Sequence, residues 1–568
     1  MIVGGLIPIA ILVLIVIGVR KLSSRDDRGA IQSQTIRRFF QYTLLFGLLL
    51  VSGFGLSGLL ARVMAREIVM NADQSGLARN LSFVVVGFPL FAIFAFWTRK
   101  RFKEDSAEQK SFGWVFYLTA SSLTSLSMAM FALIDVFSWA TGVTNYQSGM
   151  LSRLIVWGSI WVGHMWVGSQ VTPQSSLRGN YLLGSLIGLI TSVVGLSLLL
   201  AGTISRLVKL GADTLYIANA DSIKRGAVVL VVGGLVWFWH WIRNFLKSER
   251  DSLWYFYVLI CGVGGGLVVT LAYSSVVLYR VLVWLIGDPS SADVSTHYGR
   301  ISTSIALAFT GGLVWWYHQA VLAQDHSTSR TEVWRVYEYV MAGIGLVAAA
   351  GGVTMILVAI AESLIHPSVI TGDGGGTNAL LAAATLLVVG GPVWWTYWYR
   401  IEVAASKSPQ EEHLSPTRRT YLFLLFGIVG IAAVITMLSG VYLLFDDIFN
   451  SNLGSQTLRH IRYALGILIT TAAIAWYHWT IYRKEREHLA AGNQGPRFVL
   501  LIGPKDPDLI REIARHTGGR VQAWRRSDGE VGSWSKAEVI SALTATKDES
   551  VVLIATPTGI QVMPVKRD

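Results

Sequence analysis

Charged residues are scarce in this sequence: Asp, Glu, Lys and Arg make up 14% of its 568 residues, against about 25% in ordinary soluble domains. Hydrophobic residues account for 52%. Apolar runs of about 18 residues or more recur along the chain, and each is long enough to cross a bilayer core of about 30 Å as a helix. The composition excludes an ordinary soluble protein and predicts an integral membrane protein.

Cysteine is nearly absent, since Cys261 is the only one in the sequence. A single cysteine excludes an intrachain disulfide, an iron–sulfur cluster held by several thiolates and a covalent c-type haem motif. Because Cys261 lies within an apolar run, we interpret it as a small buried hydrophobic residue.

Motifs that carry catalysis are also missing. The sequence shows no Ser/His/Asp set, no carboxylate pair with enzyme spacing and no metal-ligand cluster. The segment Gly503-Pro504-Lys505-Asp506 lacks the Gly-Lys-Ser/Thr ending of a phosphate-binding loop. These absences favour a protein that is not an enzyme.

What the chain does contain is a repeated phrase rich in tryptophan. Gly-Gly-Leu-Val-Trp-Phe-Trp-His-Trp at 233–241 returns as Gly-Gly-Leu-Val-Trp-Trp-Tyr-His-Gln at 311–319. Looser copies end at Trp398 and Trp479, and weaker echoes end near Trp97 and Trp166. Each copy closes an apolar run, and a unit that recurs about every 70 to 80 residues indicates a repeat protein.

The apolar runs predict an all-α polytopic membrane protein with about 13 transmembrane helices, followed by a small C-terminal α/β domain. The first run, at 2–19, has no positive n-region and no cleavage site, so we expect an uncleaved anchor. The other twelve are paired as six parallel helical hairpins. The predicted spans are 2–19, 39–61, 81–97, 112–137, 150–168, 181–205, 226–242, 253–285, 301–322, 334–364, 378–399, 420–445 and 460–482. The predicted segments are an anchor at 1–30, hairpins at 31–103, 104–170, 171–247, 248–324, 325–405 and 406–486, and the α/β domain at 496–568.

The tail differs in kind from the hairpins. Residues 497–503 and 550–556 are typical of buried strands, and 520–526 and 560–565 add two more. Asp506-Pro507 predicts a helix start, and Ser535-Lys536-Ala537-Glu538 predicts another through a capping box.

The hairpins resemble an uncharacterised family of multi-pass membrane repeats. The resemblance is carried by the Gly-Gly-x-Val-Trp-Trp-x-His phrase and by starts such as Arg178-Gly179-Asn180-Tyr181. The family is found in bacteria of the Chloroflexi type, and the resemblance is best over 171–486 and fades in 31–170. It implies a bacterial inner membrane and no catalytic residues.

Lys and Arg concentrate after the odd-numbered spans, so positive-inside bias predicts an outside N-terminus and a cytoplasmic C-terminal domain. The net charge is +12, and the basic residues lie beside apolar spans. We therefore expect anionic lipid headgroups as partners and no nucleic acid.

Four histidines align in the phrases, at His164, His240, His318 and His478, while Tyr397 takes the place in the fifth hairpin. A histidine in a membrane helix can ligate haem iron or pigment magnesium, so these four are candidate ligands of haem or bacteriochlorophyll, and a proton relay is a further alternative. Their place at span ends favours an aromatic belt that contacts lipids, with no cofactor required. The predicted interface anchors are Trp237, Trp241, Trp315, Trp316, Trp394, Trp395, Trp476 and Trp479.

In four hairpins an ionisable residue lies 25 residues after a tyrosine of the same helix. The two residues are then about 37 Å apart along the helix axis, at opposite ends of the span. Structural ion pairing between repeats is the favoured interpretation, and an ion or proton entry site is the alternative. These groups are Arg206, Arg280, Glu362 and Asp446, with Asp135 near the same depth in the second hairpin.

These patterns favour a non-enzymatic scaffold subunit that binds lipid and partner subunits, or further copies of itself, within a larger bacterial membrane complex. One alternative is a transporter or channel with a path between the hairpins. Its lining would include Ser121, Ser122, Thr124, Ser125 and Ser127. A second alternative is a haem-, pigment- or quinone-binding electron-transfer subunit that uses the four histidines.

Overall fold

A computed structural model describes most of the chain. The described residues are 29–65, 74–105, 107–208, 215–324, 331–365, 375–413, 415–451, 453–492, 496–517, 519–525, 532–546, 550–557 and 559–565. The expected anchor at 2–19 lies outside them. The described chain forms two compact units. The first unit consists of the described chain up to Trp398 together with the short segment Gly454–Arg462. The second unit consists of Tyr399–Leu453 and the described chain from Tyr463 onward.

Long helices make up most of the described chain. They are α1 (Gly29–Val63), α2 (Gln74–Glu104), α3 (Phe112–Ala140), α4 (Ser148–Val171), α5 (Gln174–Val208), α6 (Leu215–Trp237, continued by Phe238–Phe245), α7 (Ser252–Ile286), α8 (Ile301–Ala323), α9 (Glu332–Ile365), α10 (Gly375–Lys407), α11 (Pro416–Phe449) and α12 (Ser455–Gly492). Every predicted span from 39–61 onward falls on one of them.

The chain is a multi-pass membrane protein, because ten of its described helices are long and apolar enough to cross a membrane. The helices α4 and α8 are not among the ten, since serine, glycine, tryptophan and histidine lower their mean hydropathy.

Consecutive hairpins of the first unit lie side by side in chain order. The two helices of each of the first four hairpins pack against each other. In addition, the first helix of one hairpin packs on the second helix of the next: α1 on α4, α3 on α6, and α5 on α8.

Close helix crossings depend on glycine. A Cβ atom at Gly188 would lie 2.4 Å from the backbone nitrogen of Trp237, and one at Gly266 would lie 2.6 Å from that of Trp315. Real side chains do not approach a backbone this closely, so Trp237 and Trp315, each the first tryptophan of its phrase, mark the level at which the two helices touch.

Three π-helical stretches occur in the described helices, at Phe83–Gly87, Phe238–Phe245 and Phe256–Gly264. Each inserts extra backbone into a turn and rotates the residues beyond it. The second contains His240, and the third contains Tyr257 and Gly262, both of which contact His318. The sequence pattern did not predict them.

The C-terminal segment folds as the predicted small α/β domain, with strands where the sequence placed them. Its sheet has the order β2-β1-β3-β4; β1, β2 and β3 are parallel, and β4 is antiparallel to β3. The elements are β1 (Phe498–Ile502), α13 (Pro507–Thr517), β2 (Arg520–Trp524), α14 (Lys536–Ala545), β3 (Ser550–Thr556) and β4 (Gly559–Pro564).

The two helix starts of this domain differ in their caps. The Asp506 carboxylate accepts hydrogen bonds from the backbone N–H groups of Asp508 and Leu509 at 2.9 and 3.1 Å, which confirms the first start. Ser535 precedes the second helix, but its side chain makes no capping hydrogen bond. The predicted capping box is therefore wrong.

Candidate functional site

The aromatic phrase of the hairpins has two faces. His240, His318 and Trp241 are 0% exposed, whereas Trp316 is 64% and Trp476 is 73% exposed. Residues three or four apart share a face of a helix, so one side of each phrase meets the neighbouring helices and the other meets the surroundings. The remaining predicted anchors divide in the same way: Trp395 and Trp479 are exposed, and Trp237, Trp315 and Trp394 are half-buried.

A tyrosine from the first helix contacts the phrase histidine, or its tyrosine substitute, in five hairpins. The ring centroids lie 5.5 to 6.4 Å apart. The pairs are Tyr117 with His164, Tyr181 with His240, Tyr257 with His318, Tyr337 with Tyr397, and Tyr421 with His478. Tyr181, Tyr337 and Tyr421 also begin the 25-residue spacing described above, but no sequence pattern predicts their contact with the phrase.

One ring nitrogen of each aligned histidine bonds to its own helix. The Nδ1 atoms lie 2.8 to 2.9 Å from the carbonyl oxygen four residues earlier. A carbonyl oxygen only accepts hydrogen bonds, so Nδ1 carries the hydrogen and Nε2 of the neutral ring presents a lone pair.

The surroundings of Nε2 differ between hairpins. Tyr117 donates its hydroxyl hydrogen to Nε2 of His164 at 2.9 Å, and in the fifth hairpin the hydroxyl groups of Tyr337 and Tyr397 are 2.8 Å apart. Nε2 of His240 and of His318 is buried with no hydrogen-bond partner among the described residues. Leaving such an atom unsatisfied costs about 1–3 kcal/mol.

Neighbouring hairpins meet through the same side chains. The Trp161 ring lies 6.2 Å from that of His240, and the Trp241 ring lies 5.8 Å from that of His318. The Trp241 indole N–H donates to the hydroxyl oxygen of Tyr317 at 3.0 Å. The phrases therefore join the second hairpin to the third and the third to the fourth.

The packing around His164, His240 and His318 does not fit a tetrapyrrole. A Cβ atom on Gly184 would lie 2.7 Å from Nε2 of His240, and one on Gly262 would lie 2.3 Å from Cγ of His318. The neighbouring helix thus occupies the space that a planar macrocycle needs, and Nε2 of His164 is already bonded to Tyr117. The described residues also contain no group of three or more His, Cys, Asp or Glu side chains that could hold a metal ion.

Three of the ionisable groups predicted at the opposite helix ends have polar partners. Asp135 forms an ion pair with Arg153 of the same hairpin at 3.0 Å. Glu362 pairs with Arg462 at 4.0 Å, which joins the fifth hairpin to the sixth. Asp446 accepts a hydrogen bond from the side-chain amide four residues later at 3.3 Å.

The third and fourth hairpins meet near two further predicted groups. Arg206 lies in the last turn of α5, and the hydroxyl oxygen of Ser205 beside it is 2.6 Å from that of Ser302 on α8. Arg280 donates to the carbonyl oxygen of His297 at 2.5 Å, which fixes the loop that leads to α8.

Arginine side chains join hairpins at the end where the phrases lie. Arg38 binds Glu108 at 2.7 Å and Asp105 at 2.8 Å. Arg178 binds Asp251 at 3.0 Å and also Glu249. In both cases an arginine on the first helix of an odd-numbered hairpin binds acidic residues of the linker at the start of the next hairpin.

In the second unit, Arg418 is buried and pairs with Glu402 at 3.1 Å. Here the first helix of the sixth hairpin holds the end of the fifth.

A family model described as a domain of unknown function, DUF5671, matches the chain three times, at residues 38–159, 180–296 and 335–477. Each match begins near the start of an odd-numbered hairpin, so the unit of the family is larger than the single hairpin expected. The first match lies in the segment where we expected the resemblance to fade. No curated protein and no solved structure matches this chain.

Proposed function

This chain belongs to the family of that domain of unknown function, whose model matches more than half of it in three copies, and we propose that the copies form a non-enzymatic membrane scaffold. The scaffold would hold lipids and partner subunits of a larger complex in a bacterial inner membrane. The hairpins would form its membrane part, and its C-terminal α/β domain would offer a docking site in the cytoplasm.

One observation carries this proposal: two of the predicted ionisable side chains at the helix ends form ion pairs with other helices of the chain. Glu362 pairs with Arg462, and Asp135 pairs with Arg153. An ion-entry site needs groups that are available to the ion. Groups engaged in joining helices favour a structural role.

The outward surface supports contacts with lipids or partners. The helix α11 is apolar around its circumference, and only 6% of an apolar 18-residue stretch of it is buried. Phe423 and Tyr442 on this helix are 78% and 67% exposed. Such a helix needs an apolar environment on every side.

The proposed topology has thirteen transmembrane helices in parallel hairpins, with the N-terminus outside. It includes α4 and α8, which have 24 and 23 residues, because about 35 Å of helix is long enough for a bilayer core of about 30 Å. Basic residues such as Arg99, Arg243 and Arg483 lie at the ends assigned to the cytoplasm.

A transporter or channel is a second candidate, favoured by one feature of α3. All five hydroxyl residues predicted to line a path are buried. Ser125 and Ser127 donate to carbonyl groups of their own helix, but the hydroxyls of Ser122 and Thr124 have no partner among the described residues. Unpaired buried hydroxyls are sites where water could enter.

Photo-cross-linking in native membranes tests the scaffold proposal. A photoreactive residue at Tyr442 should give one saturable adduct with a defined second protein, or with a second copy of this chain, identified by mass spectrometry. The matched control is Leu422, buried on the same helix, which should cross-link only within the chain. Lipid adducts alone at Tyr442 would contradict partner binding.

Flux through proteoliposomes separates the two candidates. The scaffold proposal expects no solute or ion flux above that of empty vesicles. A flux that falls in the Ser122→Ala variant, while Ser125→Ala leaves it unchanged, would replace the scaffold with a channel whose path follows α3.

A further inference from the structure

Three polar atoms without a partner lie where the second hairpin meets the third. They are Nε1 of Trp161 on α4, Oδ1 of Asn180 on α5 and Nε2 of His240 on α6. All three atoms are buried, and none has a hydrogen-bond partner among the residues that the structure describes.

Contacts between the three helices place these side chains at one level. The Trp161 ring lies 6.2 Å from that of His240. The Asn180 amide nitrogen is 3.6 Å from the sulfur of Met165, one helical turn beyond Trp161. Gly184, one turn beyond Asn180, lies against the ring edge of His240 that contains Nε2.

The hydrogen-bonding chemistry of the three atoms is defined by their other contacts. His240 bonds through Nδ1 to the carbonyl oxygen of Val236 at 2.8 Å, so its Nε2 accepts. Asn180 directs its amide nitrogen to Met165, which leaves its carbonyl oxygen as an acceptor. The Trp161 indole N–H is a donor. The site thus offers two acceptors and one donor.

We propose that this joint binds one buried water molecule. Water supplies two hydrogens, for His240 and Asn180, and a lone pair for Trp161, so three hydrogen bonds satisfy all three side chains. An alcohol has a single O–H and leaves one acceptor unpaired. A cation would face the indole N–H, and an anion would face two acceptors. Three bonds are typical of buried waters in proteins.

The second hairpin provides an internal comparison. His164 takes the place of His240 there, and its Nε2 receives the hydroxyl hydrogen of Tyr117 directly. That position needs no bridging molecule. The water-binding inference is independent of the scaffold proposal, because it concerns the joint between two hairpins whatever the assembly does.

A structure of the full chain in lipid nanodiscs, at a resolution that shows waters, tests the proposal. We expect an isolated density peak about 3 Å from all three atoms, and no peak beside Nε2 of His164. The peak should disappear in Asn180→Leu and in Trp161→Phe, which keeps an aromatic ring at the contact. An absent peak, or density of an extended molecule, would overturn the proposal.

Thermal stability and ¹⁵N NMR give a second test that does not depend on resolving the water. The losses in Tm caused by Trp161→Phe and Asn180→Leu should be non-additive, since either change removes the shared water. The Nε2 resonance of His240 should shift in both variants while that of His164 stays in place. Additive losses with an unmoved His240 resonance would contradict a shared ligand.

Discussion

The hydroxyl group of Tyr117 donates a hydrogen bond of 2.9 Å to Nε2 of His164. In the next hairpin Tyr181 contacts His240 at a ring separation of 6.4 Å, and Nε2 of His240 has no partner among the described residues. The histidine of the phrase is therefore bonded directly to a tyrosine in one hairpin and has an unsatisfied acceptor atom in the next. This difference determines which substitutions should change the stability of the protein.

Removing the hydroxyl of Tyr117 should destabilise the protein. We expect Tyr117→Phe to lower the free energy of unfolding by about 1–3 kcal/mol, because the partly buried Nε2 of His164 loses its hydrogen-bond donor. Equilibrium unfolding by sodium dodecyl sulfate in mixed micelles measures the change. Tyr181→Phe is the matched control and should have a smaller effect, and equal effects of the two changes would contradict the assigned bond.

Glycine at the histidine contact should not tolerate a side chain. A Cβ atom on Gly184 would lie 2.2 Å from Cδ2 of His240, so Gly184→Ala should cost about 1–3 kcal/mol through overpacking. Combining it with His240→Ala should restore part of the loss. Gly179→Ala, where nothing lies within 4 Å, is the control, and a similar loss in that variant would refute the proposed clash.

A disulfide should form between the third and fourth hairpins. The hydroxyl oxygens of Ser205 and Ser302 are 2.6 Å apart, so cysteines at both positions should oxidise in a Cys261→Ser background. A mobility shift that reducing agent reverses reports the bond. Replacing Ser205 and Ser304 instead should give little cross-linking, because Ser304 is two residues beyond Ser302 and therefore lies on a different face of α8.

Arg38, which joins the first two hairpins, should contribute more to the stability of the protein than a residue in an exposed ion pair does. Arg38→Met leaves Glu108, whose side chain is 2% exposed, without its cation, and we expect a loss of about 3 kcal/mol. Lys100→Met breaks a pair that is more than half exposed on both sides and should cost less than about 1 kcal/mol. Thermal denaturation of the two variants compares them, and the double variant Arg38→Met/Glu108→Gln should recover part of the first loss.

The sequence predicted the helices well because each apolar run is long and uninterrupted. It also placed the four C-terminal strands, where Val499, Leu501, Val551 and Leu553 form a buried core. It failed at Ser535, because a serine at a helix start satisfies the motif whether or not its rotamer reaches the backbone.

The candidate site was visible only in part. The repeated histidines stand out in the sequence, but their tyrosine partners lie far away along the chain. The contact between Tyr181 and His240 depends on the crossing at Gly188 and on the π-helical stretch Phe238–Phe245. A π-helical insertion changes no residue type, so hydrophobic patterning does not reveal it.

The sequence by itself determined that this is a membrane protein built from repeats and that its C-terminal segment forms a small α/β domain. Hydrophobic runs and strand patterns reveal these features because each depends on residues that are close together in the chain. Tertiary structure alone decided which side of the repeated phrase is buried. Helix crossings turn His240 and Trp241 inward and leave Trp316 and Trp476 outward. Burial and hydrogen-bond partners, which no stretch of sequence contains, distinguish the residues of the phrase that join hairpins from those that face outward.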